Sequence, residues 1–325
     1  MYSCKTILLD KKYEWDELIR ISRTATFFQQ KKWLENWVKC FPVRQEIVGI
    51  FDEKVLVGIA PFSYDQGAVY LLGTTPVLGS ELVCDFGDII CQPNVEKNVW
   101  MSVLNYLSTK HTGKILDFSF VKENSFSFDF LKPLSKKIVP KGTSPYLDLS
   151  KSWEGYLSGL KRKNRHEIRR KLRRLERVNY RGYQVDPTEV NRQVFFKLMR
   201  RSSFEKEKFL SKPMEAFFSG FLTGLNKGQI FLWFMDIEDK TVASVLAFKA
   251  KDELLLYNSG MDLDYQQLSV GLMSKVLLIK KSIELGYKKF DFLRGDERYK
   301  YDLGAVDNKL YQLTLELGRD FTGVF

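Results

Sequence analysis

Histidine is nearly missing from this chain, with two in 325 residues. The four cysteines, Cys4, Cys40, Cys84 and Cys91, form no Cys-x-x-Cys pair. Structural zinc is held by these two residue types at short spacings, so the composition argues against a zinc site. The thiols read instead as reduced groups of a cytoplasmic protein. No apolar run approaches the ~20 residues that span a bilayer. Met1-Tyr2-Ser3-Cys4-Lys5 is too poor in apolar residues for a signal peptide. No aromatic-interleaved RNA-binding motif is visible. What remains is a globular composition, 44% hydrophobic, long enough for one large domain or two ordinary ones.

The net charge of +11 is concentrated. Residues 1–150 hold 18 basic and 17 acidic groups, and residues 182–325 hold 21 and 20. Residues 151–181 hold 12 and 3. Tyr156, Leu160, Ile168, Leu172 and Leu175 recur there at helical spacing, which predicts a basic amphipathic helix of roughly 20 residues. Such a helix can be a solvated face. It can equally meet an anionic acceptor, the 3′-phosphate of coenzyme A, an anionic membrane surface or tRNA.

Periodicity predicts an α/β chain. The first half reads as a helix over 13–41, strands at Ile47–Phe51, Val55–Phe62, Val69–Leu72 and Asp88–Cys91, a helix over Val95–Leu107, and strands at Ile115–Phe120 and 144–149. The second half reads as helix over Val194–Phe221 with Pro213 at a break or first turn. Strands follow at Ile230–Met235, Thr241–Phe248 and Leu254–Asn258, then a helix ended by Gly286, a strand at Phe290–Leu293 and a last strand at Leu310–Leu317. In the helix before Gly286, Leu272, Val276, Ile279 and Ile283 make one apolar face with Met273 and Leu277 alongside, leaving Ser274, Lys275, Lys281 and Ser282 largely outside it.

The two halves repeat. An offset of 186 carries Lys54 onto Lys240, Ile59 onto Val245 and Phe62 onto Phe248. An offset of 174 carries Leu116-Asp117-Phe118 onto Phe290-Asp291-Phe292. The expected architecture is two tandem copies of one mixed, twisted sheet flanked by helices, with a boundary near residue 150. The copies differ before their long helix. The first has Cys91-Gln92-Pro93-Asn94, and Pro93 lacks an N–H. The second has Gln266-x-x-Ser269-x-Gly271, where small residues and free amides at a helix start can hold a pyrophosphate.

This spacing resembles the Gln/Arg-x-x-Gly-x-Gly/Ala loop of GNAT-superfamily N-acyltransferases. With the tandem units, it resembles the Fem-type branch and, closer still, the CelD-like acetyltransferases associated with polysaccharide synthesis. The likeness covers about residues 15–315. It rests on Phe28-Gln29-Gln30-Lys31-Lys32-Trp33-Leu34-Glu35-Asn36-Trp37, Val57-Gly58-Ile59-Ala60-Pro61-Phe62, Asp85-Phe86-Gly87-Asp88, the basic run Tyr156-Leu157…Leu160-Lys161-Arg162…Arg165…Arg169-Arg170, and the segment from Asp291 to Lys300. The family's Ser-Pro-Gly stands here as Ser269-Val270-Gly271, and no long helical hairpin of the Fem type is visible.

The resemblance implies an N-terminal acceptor-side domain, 1–150, and a C-terminal donor domain, 151–325. The latter would hold basic linker helix 151–181 and donor loop 265–272. It implies acyl-CoA, acetyl-CoA above all, as co-substrate, no tightly bound cofactor, and an amine-bearing sugar or envelope precursor as acceptor. Fem-type enzymes take aminoacyl-tRNA, which keeps tRNA among the partners of the basic helix. Gln266, Ser269, Val270, Gly271 and Asn258 would bind the donor. Acyl transfer needs a neutral amine, a stabilised oxyanion and a leaving thiolate. Lys300 would stabilise transition-state charge or form a surface ion pair with Asp296 or Glu297, and Tyr299 would protonate the thiolate. Asp291 would be either a base or a structural partner of Arg294 or Lys300. Arg294 and Glu297 would contact substrate.

Overall fold

The computed structural model describes residues 2–9, 14–76, 83–225, 227–319 and 321. It contains two compact units, 1–143 with 308–325, and 144–307. In the first lie β1 (Tyr2–Ile7), α1 (Trp15–Ile21), α2 (Lys31–Cys40), β2 (Arg44–Asp52), β3 (Val55–Tyr64), β4 (Ala68–Leu71), β5 (Ile90–Cys91), α3 (Glu96–Lys110), β6 (Ile115–Lys122), α4 (Phe126–Leu131) and β7 (Lys137–Thr143). The second contributes β8 (Tyr146–Asp148), α5 (Trp153–Gly159), α6 (Arg162–Leu175), β9 (Tyr180–Val185), α7 (Glu189–Ser202), α8 (Phe204–Phe209), α9 (Lys212–Gly224), β10 (Ile230–Ile237), β11 (Lys240–Ala250), β12 (Glu253–Met261), α10 (Val270–Glu284), β13 (Lys289–Asp291) and α11 (Arg298–Asp302). A last strand, β14 (Lys309–Glu316), returns to the first unit.

The sheets run β1-β2-β3-β4-β6-β14-β7, with β5 on β3, and β8-β13-β12-β11-β10-β9. Each is mixed: β4–β6 and β12–β13 are parallel, and their other neighbours are antiparallel. One core joins Val99, Trp100, Val103 and Leu107 of α3 to the first sheet. The other joins Val270, Met273, Val276 and Ile279 of α10 to the second.

The two sheets repeat one register. Asp52 pairs with Val55 and Ile237 with Lys240; Phe62 pairs with Leu71 and Ala247 with Leu256. Both hairpins carry a bulge at the same step, Ile50/Phe51 and Met235/Asp236. Glu53 and Glu238 both sit in the left-handed region, at φ 53° and 54°. The true offset of these hairpins is therefore 185, one less than the match of Lys54 to Lys240 suggests. A one-residue slip would reverse every side chain between core and solvent. The offset of 174 is upheld: Val69 pairs with Leu116 and Leu254 with Phe290.

Other expectations need correction. The described part of the helix expected over 13–41 is two helices (residue 13 lies outside the described residues). Ser22 Oγ accepts from the Thr24 and Ala25 amides, and Gln29 Oε1 from the Thr26 amide. These local bonds compete with helix. The basic helix breaks at Gly159 and is complete by Leu175; residues 180–185 are strand. The unit boundary falls at 143/144 rather than 150, and residues 308–325 group with the first unit rather than the second. Among the described residues no helix is long and apolar enough to cross a membrane.

β14 lies between β6 and β7, and Leu310, Leu313 and Leu315 are wholly buried. A chain ended at Asp307 is expected to lose the cooperative unfolding of its first unit, because two strands lose their ladder at once. Circular dichroism during thermal unfolding reads this directly.

Candidate active site

The site is built where β12 loses a neighbour. Leu254 and Leu255 pair with Phe290 and Asp291, and there the parallel ladder stops. β12 runs on to Met261, still paired with β11. A bulge leaves Tyr257 as the extra residue, since Leu246 pairs with Asn258 and Ala247 with Leu256. Bulges re-aim strands next to active sites. Among the described residues Leu256–Met261 has no strand on its second edge. Gly260 allows this path: a Cβ there would run into the Leu198 and Met199 backbone of α7.

The other side of the gap is a loop held from inside. Asp291, 2% exposed, accepts from Ser144 Oγ at 2.9 Å and from the Leu293 amide at 2.7 Å. Leu293 takes φ 58°. Lys300, also 2% exposed, donates to the carbonyls of Leu293, Arg294 and Gly295 at 3.1, 3.1 and 3.0 Å and pairs with Glu297 at 2.9 Å. An ammonium has three protons. Those of Lys300 are already committed, so it organises the loop and has none to offer a transition state. Asp291 likewise builds the turn.

The donor loop is a 3-10 turn, Leu263–Leu268, followed by Ser269 at φ 55° and then α10. Ser269 thus adopts the conformation that glycine takes most readily. Its amide donates to Gln266 O, and its own carbonyl accepts from the Leu272 and Met273 amides. Among the described residues the Val270 and Gly271 amides have no acceptor, as expected in a first turn. A Cβ at Gly271 would meet Met261 Sδ. Asp262 steadies the turn, accepting from the Asp264 amide and pairing with Arg201 at 2.8 Å and Lys240 at 2.9 Å. Lys171 of α6 donates to Ser269 Oγ at 2.7 Å. Gln266 is exposed, Val270 is in the core, and Asn258 accepts from the Ser259 amide at 2.8 Å.

Lys171, Lys206 and Lys275 were not singled out from sequence. Ser274, Lys275 and Ser282, expected outside the apolar face, are buried. The serine hydroxyls bond back to helix carbonyls, Gly271 O and Leu278 O. Lys275 Nζ donates to Gly271 O at 2.8 Å and stands 5.2 Å from the Tyr299 ring centre. A helix apolar round most of its circumference is buried, and that was the available signal for Lys275. Lys206, on the short α8, had none; its Nζ donates to Ser259 O.

Burial pushes the Lys275 ammonium down to about 7, with Lys206 and Lys300 adding to the effect and Glu297 opposing it. Burial pushes Lys206 down to about 8, again against Glu297. Burial alone would raise the Glu297 carboxyl, but the bond from Lys300 and the field of Lys300 and Lys206 hold it below its usual value. Burial, reinforced by Glu297, raises the Tyr299 hydroxyl, so it stays protonated. Arg294 is half-buried.

The entry of α3 in the first unit differs. Its first turn carries Glu96, 9% exposed, where α10 has Val270. A carboxylate already sits where an anion would bind. A cavity of about 430 Å³ lies elsewhere, beside the C-terminal half of α10, lined by Gly182, Trp233, Leu277, Lys280 and Glu284 among others. Nothing in its lining matches the chemistry at the open edge of β12.

Residues 162–301 match the family model of the Acetyltransferase (GNAT) domain. The match covers 140 of the 325 residues, lies within the second unit and runs from α6 into α11. Solved structures share the fold over nearly the whole chain. FemX aligns with a TM-score of 0.66 at 12% identity, covering 97% of this chain and 98% of that one. A conserved protein of unknown function from Bacteroides thetaiotaomicron aligns at 0.63 and 12%, covering 97% and 99%. The C-terminal domain of a putative lysylphosphatidylglycerol synthetase from Agrobacterium fabrum aligns at 0.59 and 12%, covering 92% of each. No curated protein matches the chain.

Two measurements test these assignments. Lys300→Met leaves three loop carbonyls without their donor and is expected to destabilise the protein by about 2–4 kcal/mol in denaturant unfolding. Lys275→Met acts oppositely. The folded chain releases this proton near pH 7, the unfolded chain near 10.5, so wild-type stability from this group falls as pH drops across that window. The variant's gain should be largest below pH 7 and vanish above 10.5, read as the difference between the two unfolding curves.

Proposed function

We propose that this chain is an N-acyltransferase moving an acyl group, acetyl foremost, from acyl-CoA to an amine of a sugar or cell-envelope precursor, as in the CelD-like enzymes of polysaccharide synthesis. The turn into α10 carries the reading: two first-turn amides without acceptors, beside a cation from α6, inside the segment that matches the acetyltransferase model.

In this reading the Val270 and Gly271 amides take the donor pyrophosphate, Gln266 and Ser269 shape the turn, and Lys171 adds charge. At the strand-free edge of β12 the Ser259 N–H, which donates to Asn258 Oδ1 at 2.8 Å, would turn to the thioester carbonyl, where negative charge develops. The amine attacks that carbon, the C–N bond forms, the C–S bond breaks, Tyr299 gives its proton to the leaving thiolate, and the proton shed by the amine nitrogen restores Tyr299. Arg294 and Glu297 face the acceptor. Asp291 and Lys300 act at one remove, by holding the loop. Acyl-CoA is a co-substrate rather than a resident cofactor, and the enzyme would work in the cytoplasm.

A second reading has its own observation. Lys161 just before α6, and Arg162, Lys163, Arg173 and Arg174 on it, are exposed and, among the described residues, have no acidic partner. That surface suits an aminoacyl-tRNA donor, or an anionic membrane for a non-catalytic binding protein.

Calorimetry with acetyl-CoA separates these. Saturable binding is expected, weakened about tenfold by Lys171→Met. No binding of acetyl-CoA, together with tRNA binding that falls steeply with salt, would replace the first reading by the second.

A further inference from the structure

Three lysines from three elements lie around the end of β12: Lys300 pairs with Glu297 at 2.9 Å, Lys206 bonds Ser259 O on β12, and Lys275 bonds Gly271 O, whose residue packs on Met261. Lys206 comes from α8, Lys275 from α10 and Lys300 from α11, and all three act electrostatically on Glu297 or on one another. The protons of Lys300 are used within its own loop. Those of the other two are not. Among the described residues Lys206 Nζ has one acceptor, Ser259 O, and Lys275 Nζ has one, Gly271 O. Lys275 is 8% exposed and Lys206 is half-buried. Two ammonium groups therefore keep spare N–H donors, one of them buried, while the one carboxylate that acts on them, Glu297, is 58% exposed and already paired with Lys300. Such an arrangement is costly unless a further anion completes it.

We propose that Lys206 and Lys275 form an anion pocket that takes a carboxylate or phosphate group of the acceptor and so aims the acceptor amine at the open edge of β12. The word acceptor rests on the acyltransferase reading; the pocket does not. The donor's phosphates have a separate cation, Lys171, which reaches Ser269 Oγ from α6; Lys275 holds the Gly271 carbonyl from within α10 and lies against Tyr299 of α11. The depressed affinity of Lys206 and Lys275 for their protons agrees with a pocket awaiting negative charge. An arriving anion restores those protons, with Glu297, Tyr299 and Lys300 the other ionisable groups facing it.

The test uses the full chain and three probes, inorganic phosphate, succinate and coenzyme A. Calorimetry near pH 8 in buffers of different ionisation enthalpy reads affinity and proton uptake together. Phosphate or succinate is expected to bind with uptake of protons. Lys206→Met and Lys275→Met should each weaken that binding about tenfold and reduce the uptake, while coenzyme A binds Lys206→Met, whose lysine touches β12 and not the donor turn, as it binds wild type. Each variant removes a buried charge, so both should fold, which a thermal melt verifies. Equal binding of phosphate by wild type and variants, an adventitious ion only, overturns the pocket. So does failure of both small anions to bind wild type. Coenzyme A lost in Lys206→Met overturns the acceptor assignment. If coenzyme A fails to bind even wild type while small-anion binding still depends on both lysines, the pocket stands and the acyltransferase reading falls.

Discussion

β12 parts from β13 after Leu255 because the chain beyond Asp291 cannot continue as a strand. Leu293 is turned into the left-handed region, the Asp291 carboxylate holds its amide, and Lys300 gathers the next three carbonyls from beneath. Buried backbone groups need partners, and here a lysine supplies them where a strand would have done. The result is a sheet with a gap in it. One wall is backbone met by side chains instead of a strand, Asn258 and Lys206 at Ser259 and Ser202 at Met261, and the other is the loop that Lys300 holds. The start of α10 opens onto the same region through Gly271, which packs on Met261 at the end of β12.

The two units show how one scaffold supports two roles. Their hairpins share register, bulge position and the left-handed glutamate of the turn. They diverge at the entrance of the long helix. There α3 presents Glu96 and follows Pro93, whereas α10 presents Val270 and follows a strained serine. The positive end of a helix attracts one negative charge well. In the first unit the chain supplies that charge itself; in the second an apolar residue stands there instead. The proposed donor site therefore falls to the second unit.

Charge is distributed on the same principle. Most of the excess basic residues lie on α6, where exposure makes them cheap and several are neutralised by Glu154 and Glu167. The few lysines that approach the gap are expensive. Lys206 and Lys275 hold their protons weakly, and only Lys300 is fully satisfied. A count of charges finds the first group and overlooks the second.

Several features were legible in the residues alone. These include the α/β class, the duplication, the hairpin turns, the helix ended by Gly286 and the special turn at Gln266–Gly271, because each is encoded by local periodicity or turn chemistry. The loop residues Asp291 and Lys300 could be picked out too, with a Lys300–Glu297 pair among the alternatives, but not Ser144 as partner of Asp291 or the three carbonyls of Lys300, since a charge in an apolar run announces burial without naming its partners. The register of the repeat was missed by one residue because Lys54 and Lys240 are alike in type but lie on an exposed turn, where identity constrains little. Tertiary structure alone decided three things: that β14 joins the first sheet, that Lys275 lies against Tyr299, and that Lys206 reaches Ser259. All three depend on contacts between residues distant in sequence, and side-chain spacing along a single element carries no information about which neighbour will cover it.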